Sequence, residues 1–110
     1  SGSIRGDQCE HIVEEYFIKR GFFVHKRNWK TKFAEVDLLL EYKRVFYMVE
    51  VKSLPQKGWS IESRVSPAQM RRLKICYQDL SRKYQPLRAH LALVENSNKV
   101  LILEDFLCDF

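Results

Sequence analysis

No run in this 110-residue sequence is apolar over the length that a bilayer-crossing segment requires. A basic-then-apolar leader is missing from its start as well, so a soluble domain is expected. Cysteine is scarce: Cys9, Cys76 and Cys108 are odd in number, widely spaced and without a C-x-x-C pair. That speaks against a disulfide framework and a structural zinc site, and it fits a reducing, cytoplasmic setting. Histidine is equally sparse. His11, His25 and His90 lie far apart with no metal-ligand spacing, and each reads as a structural or surface residue. There is no internal repeat and no low-complexity segment. The length suits one compact core, taken as residues 4–110, with Ser1-Gly2-Ser3 reading as a cloning remnant.

Positive charge, by contrast, is in excess. Nineteen Lys and Arg face fourteen Asp and Glu, for a net charge of +5 and a pI near 9.2. The basic residues gather at Lys26-Arg27, Lys30, Lys32, Lys43-Arg44, Arg71-Arg72-x-Lys74 and Arg82-Lys83. This distribution favours a polyanionic partner, with Lys26, Arg27, Lys30, Arg71 and Arg72 as candidate nucleic-acid contacts. A modest excess also suits plain solvated faces, so charge alone does not decide.

From Asp7, Cys9, Ile12, Val13, Tyr16 and Phe17 recur with helical spacing, and Gly21 supplies a C-terminal stop. Phe22 to Trp29 reads as a strand. Phe33 to Leu40 follows as a second, with Val36, Leu38 and Leu40 on one face and Glu35, Asp37 and Leu39 on the other. A turn at Tyr42-Lys43-Arg44 leads into Val45 to Lys52, where Val45, Tyr47, Val49 and Val51 oppose Phe46, Met48, Glu50 and Lys52. Ser53 to Arg64, with Pro55 and Gly58, reads as a long loop. Ser66-Pro67-Ala68-Gln69 opens a second helix, lined by Met70, Leu73, Tyr77, Leu80 and Tyr84 and broken by Pro86. Arg88 to Val94 and Lys99 to Leu103 are the last strands, and the apolar tail from Asp105 stays ambiguous. The expected fold is α/β: a mixed central sheet flanked by helices in the order α-β-β-β-α-β, with one strand added.

Asp37, Glu50 and Lys52 stand out within that frame. Residues two apart on a strand share a face, so Glu50 and Lys52 point the same way. An antiparallel pairing across the Tyr42 turn brings Asp37 towards Glu50. Two carboxylates are hard oxygen ligands suited to Mg²⁺ or Mn²⁺, which complete their shells with water and substrate phosphate. A lysine beside them can stabilise charge developing at phosphorus. The plain alternative is a same-face ion pair on a solvated strand. The apolar neighbours, Val36-x-Leu38-Leu39-Leu40 and Phe46-Tyr47-Met48-Val49-x-Val51, tip the balance, because a sheet buried on both faces makes unpaired charge expensive.

The string Ala34-Glu35-Val36-Asp37-Leu38-Leu39, followed after ten residues by Val49-Glu50-Val51-Lys52, resembles the GEIDLI and VEVK motifs of the YraN-like proteins. That uncharacterised family is similar to the PD-(D/E)XK nucleases, especially archaeal Holliday junction resolvases. The likeness runs from Gly6 to Val94 and takes in Glu10, Gly21, Arg27-Asn28 and the Ser66 helix start. It implies a restriction-endonuclease-like core and metal-dependent hydrolysis of phosphodiesters in DNA, branched DNA included. It further implies metal ligation by Asp37 and Glu50, with Glu10 as a weaker third ligand, and catalytic assistance from Lys52. Glu35 and Gln69 are implied to line the site, and a homodimer is implied by analogy with resolvases that cut two strands. Glu10 and Gln69 also fit capping boxes, Asp7-x-x-Glu10 and Ser66-x-x-Gln69. The sequence departs from the family pattern at Ala34, for the motif glycine, and at Leu54, Gln69 and His90, where basic, basic and acidic residues are usual. A noncatalytic nucleic-acid-binding or scaffold domain on the same fold is the alternative reading. Trp29 and Trp59 suit base stacking or ordinary packing equally well.

Overall fold

The computed structural model describes residues 6–54 and 60–108. The first helix, α1 (Gly6–Ile18), buries Cys9, Val13 and Phe17 against the sheet, with Ile12 and Tyr16 packed beside them. It stops where Gly21 takes φ +91°. There the Gly21 N–H reaches the Ile18 carbonyl at 3.0 Å and the Phe22 N–H reaches the Phe17 carbonyl at 3.1 Å. This is a Schellman closure, sealed by the Phe17 and Phe22 rings at 4.8 Å.

Five strands follow in sheet order: β1 (Phe23–Lys30), β2 (Glu35–Tyr42), β3 (Val45–Ser53), β4 (Leu87–Val94) and β5 (Val100–Leu103). The β1–β2, β2–β3 and β4–β5 pairs are antiparallel, while β3 and β4 run parallel. A parallel pair needs a crossover, and α3 (Pro67–Leu80) supplies it. The result is the expected mixed sheet with helices on both faces. On one face α1 covers Leu38, Leu40, Tyr47, Val49 and Val51. On the other, α3 inserts Leu73, Cys76 and Leu80 against Leu39, Met48, Leu91 and Leu93. The central strands are buried on both faces, as their continuous apolar runs require.

Four details depart from the sequence reading. The long loop holds a short helix, α2 (Ile61–Arg64), whose Ile61 packs on the α3-side core. Pro55, Gly58 and Trp59 of that loop lie outside the described residues. Strict alternation on β2 fails at Val36, which joins Leu39 in the α3-side cluster while Leu38 and Leu40 face α1. The second helix ends at Leu80, short of Pro86, and Tyr84 is carried by the turns that follow, its N–H 2.8 Å from the Leu80 carbonyl. The tail is resolved into core: Phe106 and Leu107 are buried under α3, and Asp105 grips Arg88 at 2.7 and 3.1 Å.

Candidate functional site

The β2–β3 ladder runs from Tyr42 opposite Val45 to Leu38 opposite Val49 and stops there. One further step would set Asp37 across from Glu50. Instead the Val51 N–H donates to the Asp37 carboxylate at 2.8 Å, so a side chain replaces the missing ladder bond. Parting of the strands opens a cleft of about 390 Å³ lined by Glu10, Glu35, Asp37, Glu50, Lys52 and Gln69, with Ala34, Val51, Arg72 and Leu73 completing the wall.

Glu50 is only 6% exposed, at the centre of the sheet. Its Oε2 accepts from the Gln69 amide at 3.0 Å and lies 3.4 Å from the Lys52 ammonium. Burial, and then the Asp37 charge, push the Glu50 carboxyl up to about 7, against the pull of Lys52 and Gln69. Asp37 is raised as well, chiefly by burial and less by Glu35, while the Val51 N–H and Lys52 favour its charged form. Glu10 reaches in from α1 and is lifted to about 6 by burial, Asp37 and Glu35, with Asn28 hydrogen-bonding its carboxylate. Three acids from three elements therefore crowd one opening.

Of the expected site residues, the fold brings Glu10, Glu35, Asp37, Glu50, Lys52 and Gln69 together. Ser66 caps α3 by accepting from the Gln69 N–H at 3.1 Å, but the Gln69 side chain turns to Glu50, so the reciprocal half of the capping box is not made. Glu10 likewise points at Asn28 and Asp37. The Asp7 side chain lies outside what is described. Arg72 stands at the rim, whereas Arg71 lies exposed on α3 outside the cleft lining. Arg27 is spoken for: its guanidinium makes a two-pronged bond to Glu14 on α1, with Nε at 2.9 and 3.0 Å from the carboxylate oxygens. Next to it Asn28 adopts φ 49°, a left-handed conformation that asparagine tolerates better than most residues. Sequence reasoning missed Asn28 as a site neighbour, and its signal was the Arg-Asn pair itself. His90 is buried away from the cleft, its Nδ1 accepting from the Asp105 N–H at 3.2 Å, and Leu54 is a core residue.

Among the described residues no group of three His, Cys, Asp or Glu side chains is already arranged to enclose a metal ion. The chemistry of the donor set, carboxylate oxygens whose charge burial disfavours and, at Glu50, Asp37 disfavours further, is of the kind a hard divalent cation takes. Among the described residues no helix is long and apolar enough to cross a membrane.

Central-strand carboxylates beside a lysine, on a mixed sheet between helices, define a restriction-endonuclease-like domain of the PD-(D/E)XK type. By sequence the chain belongs to the uncharacterised protein family UPF0102, whose model matches residues 9–94. A UPF0102 protein of Thermus thermophilus is 32% identical over 94% of this chain and 94% of its own length. One from Shewanella oneidensis is 26% identical over 92% of this chain and 97% of its own length. One from Campylobacter concisus is 29% identical over 88% of each. Among solved structures, the Ca²⁺ complex of Pyrococcus furiosus SfsA is similar at TM-score 0.44 and 16% identity, covering 91% of this chain and 62% of that chain.

Proposed function

We propose that the chain is a metal-dependent nuclease that hydrolyses phosphodiester bonds in DNA, with branched DNA the substrate that its resolvase-like motifs favour. The observation that carries this reading is the convergence of Asp37, Glu50 and Glu10 beside Lys52 in one cleft on a basic domain. Asp37 and Glu50 would hold Mg²⁺ or Mn²⁺, with Glu10 as a third oxygen donor; when bound, the ion neutralises phosphate charge and makes water a better nucleophile. Lys52 places its ammonium over the same opening, where it stabilises the extra negative charge of the attacked phosphate. The Val51 N–H fixes the Asp37 carboxylate, and Gln69 fixes that of Glu50, so neither must reorganise as substrate arrives. Arg72, on the rim, meets the substrate backbone.

The test is cleavage of labelled duplex, single-stranded, flap and four-way-junction DNA in Mg²⁺ or Mn²⁺, with Asp37→Ala and Lys52→Ala as comparisons. Metal-dependent cutting by wild type that both variants lose is the expected result. Equal inertness of all three proteins, with no metal-induced stabilisation, overturns the reading. The second reading, a noncatalytic nucleic-acid-binding or scaffold domain on the same fold, draws on the departures from the family pattern, with Leu54 buried in the core and Gln69 held by Glu50 where basic residues are usual. It gains if DNA binds without being cut.

A further inference from the structure

Among the described residues two runs of aromatic rings lie on opposite faces, and they differ in how far they are covered. On the α1 face Tyr16, Phe17, Phe22 and Tyr47 follow one another at 5.1, 4.8 and 5.1 Å between centroids, and Phe17 and Tyr47 are buried. That run is core. Beyond the end of α3, on the opposite face, Trp29, Tyr84, Phe46, His25 and Phe23 form a second run at 5.9, 5.2, 5.5 and 4.8 Å. Trp29, Tyr84 and Phe46 are half-buried against the α3-side core, His25 is exposed, and Phe23, at 63% exposure, is the most exposed large hydrophobic residue among those described.

The open run carries positive charge at intervals. The Lys26 ammonium sits 5.0 Å over the Trp29 ring and that of Lys83 sits 5.5 Å over Tyr84. Among the described residues neither these two nor Lys30 forms an ion pair with a carboxylate; the acid on the strip, Glu41, is held by His25 at 2.8 Å. The run also has a direction. Lys30 pairs in register with Glu35, which lines the acidic cleft, so the Trp29 end lies beside the cleft and the rings lead away from it to Phe23 at the start of β1.

An exposed ring such as Phe23, at the end of a half-buried aromatic run with ammonium groups that lack carboxylate partners among the described residues, suits unpaired nucleic acid, where bases stack on rings and phosphates meet lysines. A fully paired duplex offers phosphates but keeps its base faces to itself. We propose that the strip from Trp29 to Phe23 binds a single-stranded segment of nucleic acid, the flank of a substrate whose phosphodiester enters the cleft. This rests on the reading that the cleft handles nucleic acid, and the strip would set the preference for substrates with an unpaired arm.

The test is direct binding of a single-stranded oligonucleotide of about ten residues, measured by fluorescence anisotropy in chelator so that no cutting occurs. A duplex of the same sequence and an abasic strand of equal charge serve as controls. Phe23→Ala should weaken binding of the single strand roughly tenfold and leave the duplex and abasic strand unchanged, with Phe23→Tyr retaining wild-type binding. Lys26→Ala and Lys83→Ala should each flatten the salt dependence of single-strand binding. Because Phe23 is exposed, an unchanged melting temperature is expected, which separates lost contact from lost fold. No effect of Phe23→Ala, or an equal loss on the abasic strand, overturns the proposal. If binding is Phe23-dependent but no nucleic acid is ever cut with metal present, the strip stands and the nuclease reading falls.

Discussion

Replacing Glu50 by glutamine removes one charge from the driest part of the cleft while keeping the side chain's shape. In the folded protein the Glu50 carboxyl titrates near 7, against 4.5 for the ordinary value, because burial and Asp37 disfavour its charge. The folded chain therefore keeps a proton that the unfolded chain has lost, and the sign follows from linkage. Stability from this group is complete below pH 4.5 and is lost as pH rises through about 7. At about 1.4 kcal/mol per pH unit, the interval from 4.5 to about 7 sets an upper bound of about 3.5 kcal/mol on what ionised Glu50 costs at pH 8. Without metal, the advantage of Glu50→Gln over wild type should be small near pH 5 and grow by pH 8 to at most that amount, several degrees in melting temperature. Saturating Mg²⁺ or Mn²⁺ should reverse the order: at a hundred times its dissociation constant the ion adds about 2.7 kcal/mol to wild type and little to the variant. The assay is thermal unfolding from pH 5 to 8 with chelator or metal. Parallel pH profiles, with both proteins responding equally to metal, would refute the reasoning.

Two further outcomes probe the frame around the site. Burial, and to a lesser degree Arg88, hold the His90 imidazole below its ordinary 6.5, against the Ala89 backbone, Asp105 and Glu104, which favour its charge. Its neutral form thus contributes stability above pH 6.5 that is lost as pH falls through the lower folded value; urea titrations between pH 8 and 5.5 should show this acid-side loss in wild type and not in His90→Phe. Gly21→Ala forces a side chain into φ +91°, with its Cβ 3.4 Å from the Tyr42 ring. A loss of about 1–2 kcal/mol in the same titration is expected, and an unchanged midpoint would mean that the Schellman turn has moved.

Much of this was legible in the sequence because the physics was local. The 3.6-residue stripe of Cys9, Val13 and Phe17 and the alternation through Tyr47 to Lys52 each describe one element's own face. Glu50 and Lys52 share a side for the same reason. What stayed hidden depended on pairing between elements. Val36 changes partners because β2 leaves the ladder at Asp37, which no pattern within β2 announces. Arg27 counted as a free cation until the fold set Glu14 beside it. Glu10 and Gln69 each sat at a position where capping and the site competed, and only the approach of α1 and α3 to the parting strands shows which partner wins. The ring run from Trp29 to Phe23 joins β1, β3 and the turn after α3, so spacing could not display it.

The site lies where the fold gives up regular structure. Ending the β2–β3 ladder at Leu38 and Val49 frees the Val51 N–H, and Asp37 takes it; one residue earlier on β3, Glu50 is buried within the sheet. For stability alone, apolar residues would serve these positions better, since a buried carboxylate must be paid for by compensating contacts and replacing buried charges with packed hydrophobes is often stabilising. Here the compensation is incomplete. Lys52 lies at 3.4 Å and Gln69 at 3.0 Å, yet Glu50, Asp37 and Glu10 all remain shifted towards the neutral form. Burial is the main cause in each case, and Asp37 adds to it at Glu50 and Glu10; the cation of the proposed function would offset that part of the cost. Lys52 and Arg72 line the same cleft, so under the proposed function both cations face the phosphate that the acids alone would repel.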